Sequence, residues 1–312
     1  MCHLIFVSPD FSGLVAPSSP NAVNVDSQSL TWTWTDNSNP PDSEDGFKVY
    51  WGPGDTAPDT LTSQTLSDVT SYTVTGLSPN TQYAFQVAAT SAAYGDSAKT
   101  QNYYVYTQAE ALSDLNTPAV GQSSITVAAA SMPSNLAAGR SGILLRNTTS
   151  GDYSGWQHSN APWVSSGLTL NTPYTFSGKS RNGCGLATTP VITQIWTLAA
   201  VPTAPSLSNP SAHSMCVAIG GGDGNPANTQ YATYCVTTSQ YVKADGTMGA
   251  APVWRTAAEW GTIALIGLAP LETYEFQVKA RNGADVETEM GPAASAMTVA
   301  NPTGVKHWPL YE

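Results

Sequence analysis

The sequence has 312 residues, a formal net charge of −11 and only 11% charged residues. This acidic balance argues against nucleic-acid binding, which needs clustered Lys and Arg, and no apolar run of about 18 residues offers a membrane-spanning helix. The apolar fraction of 41% is sufficient for packed cores, so global disorder is not expected. A surface rich in hydroxyl and amide groups is typical of a secreted protein, or of one whose faces are covered by neighbours.

The N-terminal residues 1–16 form the first segment in the predicted organisation. They contain a short apolar run that includes Leu4, Ile5 and Phe6, without the basic stretch that opens a signal peptide. Terminal segments are normally polar. An apolar strand of this kind can add to the exposed sheet edge of another molecule.

Residues 17–108 are predicted to form the first β domain. Apolar residues alternate with polar ones from Leu30 to Trp34, and again from Phe47 to Trp51. This period of two predicts strands with one buried face. In the closing strand, Tyr103–Thr107, consecutive aromatic residues face both sides of the sheet, so we expect one side to be covered by another part of the protein or exposed.

An acidic loop follows the second predicted strand of this domain. It holds Asp36, Asp42, Glu44 and Asp45, whose oxygens are of the kind that bind Ca²⁺. The spacing matches no EF-hand, however, and Asp, Asn and Pro are also the residues that form turns. We therefore interpret the loop as a solvated acidic turn, and no metal site is predicted.

A motif of the form Gly-Leu-x5-Tyr-x-Phe occurs three times. It begins at Gly76, Gly167 and Gly267, so the spacings are 91 and 100 residues. That period is the length of one sandwich domain. Each copy lies between two alternating strands, which predicts a corner where the Tyr ring packs in the core and its hydroxyl bonds back to the turn.

The second and third domains are predicted at residues 109–200 and 201–300, followed by an aromatic tail at 301–312. After the motif strand, both carry an Arg-Asn-Gly sequence, at 181–183 and 281–283, which predicts matching Asn-Gly hairpin turns. The linkers, near Gln108–Ser113 and Ala199–Pro205, are short. We therefore expect the domains to be strung semi-rigidly.

These features together resemble fibronectin type III domains. The resemblance rests on Trp34 in the second strand, the aromatic-led third strand and the Tyr corner, and it covers about residues 17–300. It is weaker in the later copies, where Ala129 and Ile219 stand at the Trp position. It implies an all-β fold of three tandem immunoglobulin-like (fibronectin type III) β-sandwiches, similar to multi-domain proteins of bacterial surfaces.

The sequence offers no catalytic constellation. The histidines are scattered over different domains and tails, and no nucleophile motif, phosphate-binding loop or zinc motif occurs. We therefore predict a non-enzymatic protein with no catalytic residues, no cofactor and no metal.

Two covalent features are candidates. Asn147 opens an Asn-Thr-Thr sequon, which makes it a possible glycosylation site in an extracellular protein. Cys216 and Cys235 fall on neighbouring predicted strands of the third domain, so a disulfide between them is possible. The alternation of residues nevertheless points one cysteine outward and the other inward, which weakens that pairing.

The predicted function is that of a structural subunit in an extracellular surface filament or adhesive fibre, with copies of itself as partners. Head-to-tail contact through the terminal segments would give an open filament. The candidate contact residues are Leu4, Ile5, Phe6, Trp308, Leu310 and Tyr311.

Two alternatives stay open. The chain can be a carbohydrate-binding or spacer region of a larger secreted enzyme or adhesin, with cell-surface glycans stacking on aromatic residues; it can also be a decoration protein of a virion or phage tail. The candidate aromatics are Trp156, Trp163, Trp254 and Trp260.

Overall fold

The computed structural model of the protein describes residues 13–38, 44–137 and 139–302. These residues form three consecutive β-sandwiches, each made of two antiparallel sheets. Each sandwich encloses its own hydrophobic core. In the described part of the chain, no helix is long and apolar enough to cross a membrane.

The first sandwich shows why the alternating sequence becomes strands. Trp32 and Trp34 point inward, where the Trp32 ring stacks on Phe85 at 4.7 Å and the Trp34 ring meets Phe47 edge-on at 5.4 Å. One sheet has the order β1-β2-β5; in the other, β3 lies between β4 and β6, which also pairs with β7 and β8. The strands are β1 (Ser18–Val23), β2 (Ser29–Thr35), β3 (Gly46–Pro53), β4 (Ser63–Gln64), β5 (Ser71–Thr75), β6 (Gln82–Ser91), β7 (Gly95–Asp96) and β8 (Tyr103–Tyr106).

The second sandwich repeats this arrangement with fewer strands. Its sheets have the orders β13-β10-β9 and β12-β11-β14-β15. Ala129 is buried at the position of Trp34, and Trp163 packs against Phe176 at 6.3 Å instead. The strands are β9 (Leu115–Val120), β10 (Ser124–Ala129), β11 (Gly142–Asn147), β12 (Tyr153–Gln157), β13 (Trp163–Ser166), β14 (Pro173–Arg181) and β15 (Val191–Trp196).

The third sandwich has the sheet β16-β17-β22 and a larger sheet of order β20-β19-β18-β23-β24, in which β21 also pairs with β18. Trp260 is buried, and its ring nitrogen donates to the Tyr231 carbonyl oxygen at 2.8 Å. The elements are β16 (Ser206–Ser208), β17 (Ser214–Ala218), β18 (Gln230–Cys235), β19 (Gln240–Val242), β20 (Met248–Gly249), β21 (Arg255–Thr256), α1 (Ala257–Trp260), β22 (Thr262–Ile266), β23 (Thr273–Arg281) and β24 (Ala294–Met297).

The predicted Tyr corner is present in all three sandwiches. The hydroxyl of Tyr83 accepts a hydrogen bond from the Ser78 N–H at 3.0 Å. The hydroxyls of Tyr174 and Tyr274 accept from the corresponding N–H groups at 2.8 and 2.9 Å. All three rings are buried. The repeated motif therefore fixes the same turn three times.

One detail differs from the predicted domain limits. Leu14, assigned to the N-terminal segment, packs into the first core. The strands of each sandwich otherwise lie within 17–108, 109–200 and 201–300, whose limits as domain boundaries stay a prediction.

Candidate functional site at the two domain junctions

The side chain of Asn182 joins the second domain to the first. Its Nδ2 donates to the Thr107 carbonyl oxygen at 3.1 Å, and its Oδ1 accepts from the Leu186 N–H at 2.9 Å. Asn182 is fully buried. One amide therefore closes its own turn and also bonds the preceding domain.

Asn80 makes the reciprocal contact from the first domain. Its Oδ1 accepts from the Gly183 N–H at 2.7 Å, and its Nδ2 donates to the Asn135 carbonyl oxygen at 2.7 Å. Its φ is +46°, a left-handed conformation that Asn tolerates better than most residues. Each buried amide thus forms a hydrogen bond with a backbone group of the other domain, which meets the requirement that buried polar groups be hydrogen-bonded.

A glycine and an aromatic ring complete the first junction. Gly183 lies against Tyr106, so closely that a Cβ on Gly183 would stand 2.3 Å from Cε1 of the ring. Glycine is therefore required here for space, since neither Asn182 nor Gly183 has a left-handed φ.

The second junction repeats this arrangement. Asn282 Nδ2 donates to the Thr197 carbonyl oxygen at 3.0 Å, and the Gly283 N–H donates to Asn171 Oδ1 at 2.8 Å. A Cβ on Gly283 would stand 2.3 Å from the Trp196 ring. The contacts of the first junction are therefore present again about one domain further along the chain. We call each set of contacts an Asn–Gly junction.

The linkers are packed against the domains. Ala109, Leu112 and Ala199 are buried. Ser180 Oγ donates to the Glu110 carbonyl oxygen at 2.5 Å. These contacts hold the linkers that the sequence predicted to be semi-rigid.

A polar cluster supports the second linker. Asn225 accepts from the Ala200 N–H at 2.7 Å and donates to its carbonyl oxygen at 2.9 Å. Asp223 accepts from Asn225 and from the Tyr231 hydroxyl, both at 2.9 Å. Burial, and then the hydrogen bond to Asp223, raise the pKa of the Tyr231 phenol above its ordinary value.

The Asn-Gly pairs lie in hairpin turns, as predicted, because Arg181 and Arg281 form antiparallel bridges with Ala187 and Glu287. The loops are longer than two residues, and neither Asn nor Gly of the pairs has a left-handed φ. Sequence reasoning did not predict that these pairs contact another domain. A comparison of the repeats carries the signal, because the first copy has Ser91 and Ala92 in place of Asn-Gly. In the second and third copies, the Asn of this pair bonds a carbonyl oxygen of the domain before it.

The aromatic candidates divide into core and outer face. Trp163 packs on the second core and Trp260 is buried in the third. Trp156 and Trp254 lie on the outer faces, where the guanidinium groups of Arg181 and Arg281 stand 4.0 and 4.8 Å from the ring centres. Such cation–π contacts stabilise the sheet surface and occupy ring faces that a sugar would need.

The consecutive aromatics of β8 face different surroundings, as expected. Tyr103 contacts the first core and donates to Asn21 Oδ1 at 3.1 Å. Tyr104 is 57% exposed. Tyr106 contacts Gly183 in the second domain. The second domain therefore covers part of the outward side of this strand.

The acidic loop is organised by a residue that the sequence did not single out. Oxygens of Asp36, Glu44 and Asp68 lie within 4.8 Å of one another, and Glu44 is buried. The Asp68 N–H donates to Glu44 Oε1 at 3.1 Å, and the Ala92 N–H donates to Asp45 Oδ2 at 2.6 Å. These bonds close loops of the first domain. The fourth predicted carboxylate, at position 42, lies outside the described residues.

Two candidate covalent features are corrected by the structure. Cys216 and Cys235 are free, because Cys235 points into the core from one sheet while Cys216 lies on the outer side of the opposite sheet. Asn147 is fully buried, and its Nδ2 donates to Ser165 Oγ at 3.0 Å. A glycan on this nitrogen is incompatible with the folded second domain.

The predicted contact residues lie outside the described residues, and their role stays a prediction. They are Leu4, Ile5, Phe6, Trp308, Leu310 and Tyr311. Of the histidines, His158 and His213 contact backbone carbonyl oxygens, each at 3.0 Å.

Comparison with known proteins identifies the first domain. Residues 15–105 match the family model of the fibronectin type III domain. No curated protein matches the sequence.

Two solved structures of fibronectin type III segments are similar to this chain. The FN1–FN3 domains of chicken CNTN1 are 15% identical with a TM-score of 0.31, covering 91% of this chain and 99% of that one. A two-domain fibronectin type III segment of chicken tenascin is 15% identical with a TM-score of 0.41, covering 59% and 100%.

Proposed function

Residues 15–105 are a fibronectin type III domain, and from that premise we propose that the chain is a non-catalytic structural subunit of an extracellular surface filament or adhesive fibre. Domains of this family commonly serve as structural or adhesive modules of extracellular proteins. The observation that carries the proposal is the pair of Asn–Gly junctions. They fix each domain to the next, as a mechanical spacer requires.

The junctions differ from ordinary contacts between domains. Interfaces within a chain generally permit relative motion unless they are large and hydrophobic. Here the buried amides of Asn182 and Asn282 each bond a carbonyl oxygen of the preceding domain. Opening a junction would leave these groups to find water, and the Gly–ring contact would be lost. We infer that the three domains behave as one rigid rod.

Nuclear magnetic resonance on the full chain tests the rod. Residual dipolar couplings from all three domains should fit a single alignment tensor, and the domains should share one rotational correlation time. Asn182→Ala combined with Asn282→Ala should give separate tensors. Independent tensors in the unmodified protein would show flexibly linked domains and would refute the rigid spacer.

Assembly into a fibre forms the second part of the proposal. The terminal segments supply head-to-tail contacts through Leu4, Ile5, Phe6, Trp308, Leu310 and Tyr311. Electron microscopy of concentrated protein should show threads. A chain lacking residues 1–8 should form fewer of them; normal assembly of that chain would remove the N-terminal segment from the contact.

Carbohydrate binding is the alternative. It is less favoured because Trp156 and Trp254 carry cationic groups over their rings and Trp260 is buried. Among the described residues, Tyr104 and Tyr153 are exposed aromatic side chains, at 57% and 65%, and are available for stacking. A glycan array that shows binding abolished by Tyr104→Ala would support this alternative.

A further inference from the structure

The C-terminal end of the third domain carries apolar residues where the first two domains carry junction residues. Leu271 stands four residues after the Gly of its corner motif, which is the position of Asn80 and Asn171. Its φ of +59° matches their left-handed conformation. The backbone of the junction is therefore kept, and its amide side chain is replaced by an apolar one.

The aromatic position has changed in the same way. Tyr106, Trp196 and Met297 occupy equivalent positions. Each pairs, across its sheet, with the residue immediately before the corner tyrosine of its domain. Leu271, Met297 and Val299 are 61%, 54% and 48% exposed. We call these three residues the end patch.

The N-terminal end of the first domain carries the matching half. Ser91 and Ala92 stand where the later domains have Asn-Gly, and Ser91 pairs with Gly95 as Asn182 bonds Leu186. Ala92 and Ala93 are exposed. We call residues 91–93 the lead turn.

The two ends fit each other better than they fit an Asn–Gly junction. A Cβ at the Gly183 position would collide with the Tyr106 ring, and one at Gly283 with Trp196. The lead turn has that Cβ, on Ala92, and so requires a thinner partner. Met297 is unbranched and flexible, and it adapts to irregular apolar surfaces.

We propose that the end patch of one molecule packs against the lead turn of a second copy, in the geometry of the internal junctions but with apolar contacts. This inference rests on the fibre proposal and adds, to the contacts of the terminal segments, a subunit contact between the folded ends of the rod. The contact is heterologous, so it propagates into an open filament. Its continuity with the internal junctions identifies a second copy as the occupant of the patch.

The net charge of −11 makes copies repel one another, and salt screens that repulsion. Association through an apolar contact should therefore strengthen as salt is raised. A contact based on ion pairs would weaken under the same conditions.

Sedimentation of the full chain tests the proposal, with Met297→Glu blocking the end patch and Ala92→Glu blocking the lead turn. The protein should assemble between about 1 μM and about 1 mM, and each variant should assemble at least about tenfold more weakly. Ile192→Glu, at another exposed apolar site, is the matched control and should assemble normally. An equimolar mixture of the two variants keeps one intact patch and one intact turn, and should form dimers only.

Each outcome is decisive. Dimers in the mixture would also show that both variants are folded and would establish the pairing of the two ends. Assembly unchanged in both variants would overturn this contact while leaving the fibre function intact. A monomer under all conditions would overturn both.

Discussion

The two Asn–Gly junctions use the same polar contacts but different aromatic residues. Each has a buried Asn that bonds a Thr carbonyl oxygen of the preceding domain, and a Gly N–H that bonds an Asn of that domain. The ring against the Gly is Tyr106 in the first junction and Trp196 in the second. The hydrogen bonds therefore define the contact, and the ring fills the space beside it.

The supports around the junctions also differ. Asn80 donates to the Asn135 carbonyl oxygen in the first, whereas Asn171 donates to Thr229 Oγ1 at 2.8 Å in the second. The second junction has in addition the Asp223–Asn225–Tyr231 cluster beside its linker. The comparison shows that the same Asn–Gly contacts form although the supporting Asn of the preceding domain has a different hydrogen-bond acceptor in each junction.

The largest expected effect is that of Asn182→Ala. The substitution removes partners from the Thr107 carbonyl oxygen and the Leu186 N–H, and unpaired buried groups should lower the free energy of unfolding of the second domain by about 2–4 kcal/mol. Asn282→Ala should cost the third domain a similar amount. Domain-resolved hydrogen exchange in urea measures both. Asn116→Ala, at an exposed position, serves as the control. Equal losses for the exposed and buried asparagines would contradict the role of the junction.

Adding a methyl group at the glycines should have the next largest effect. Gly183→Ala and Gly283→Ala should each lower the free energy of unfolding by about 1–3 kcal/mol through overpacking. The loss should be greater for Gly283→Ala, because the Trp196 indole that its methyl group meets is larger than the Tyr106 ring. Gly221→Ala is the control, since a Cβ there meets nothing within 4 Å. A double-mutant cycle with Tyr106→Leu should recover part of the loss at Gly183. Strict additivity would mean that the ring is not what the methyl group meets.

Alkaline pH should distinguish the two junctions. The folded pKa of Tyr231 is raised, so its stabilising contribution is fully present below its unfolded value of about 10 and is lost as the pH rises above that value. The thermal midpoint of the third domain should therefore fall progressively as the pH rises above about 10. Tyr231→Phe should flatten this dependence; an unchanged pH profile in the variant would assign the effect to another group.

The smallest expected effect is a gain at Leu271 in the third domain. Leu271 adopts a left-handed φ of +59°, which Asn accepts at lower cost. Leu271→Asn should raise the free energy of unfolding of the third domain by about 0.5–1 kcal/mol. Calorimetry at a concentration where the protein is monomeric measures this gain. Leu271→Ala, which keeps the left-handed cost, should not show it.

The sequence predicted what depends on local pattern. The Tyr corner and the alternating strands follow from period-two burial and from one repeated motif, and the structure confirms them at Tyr83, Tyr174 and Tyr274. The tandem sandwich fold followed from the spacing of that motif.

The features that the sequence did not predict depend on residues that are distant in sequence. The role of Asn182 requires the carbonyl oxygen of Thr107, 75 residues earlier, and the loop at Glu44 requires Asp68. Asn147 forms a sequon whose burial is decided by Ser165 on another strand. The local sequence around each residue does not indicate these contacts. The absence of Asn-Gly from the first repeat is the one hint that it offered.

The buried Asn-Gly pairs also have a chemical consequence. Asn followed by Gly is the dipeptide most prone to deamidation, in which the Gly nitrogen attacks the side-chain carbonyl carbon and ammonia leaves. In the first junction, that nitrogen's hydrogen is held by Asn80 and both ends of the Asn182 amide are bonded. Cyclisation therefore requires the Asn–Gly junction to open. Each closed junction protects its own amide from deamidation, and aspartate or isoaspartate that accumulates at position 182 would measure how often the junction has opened.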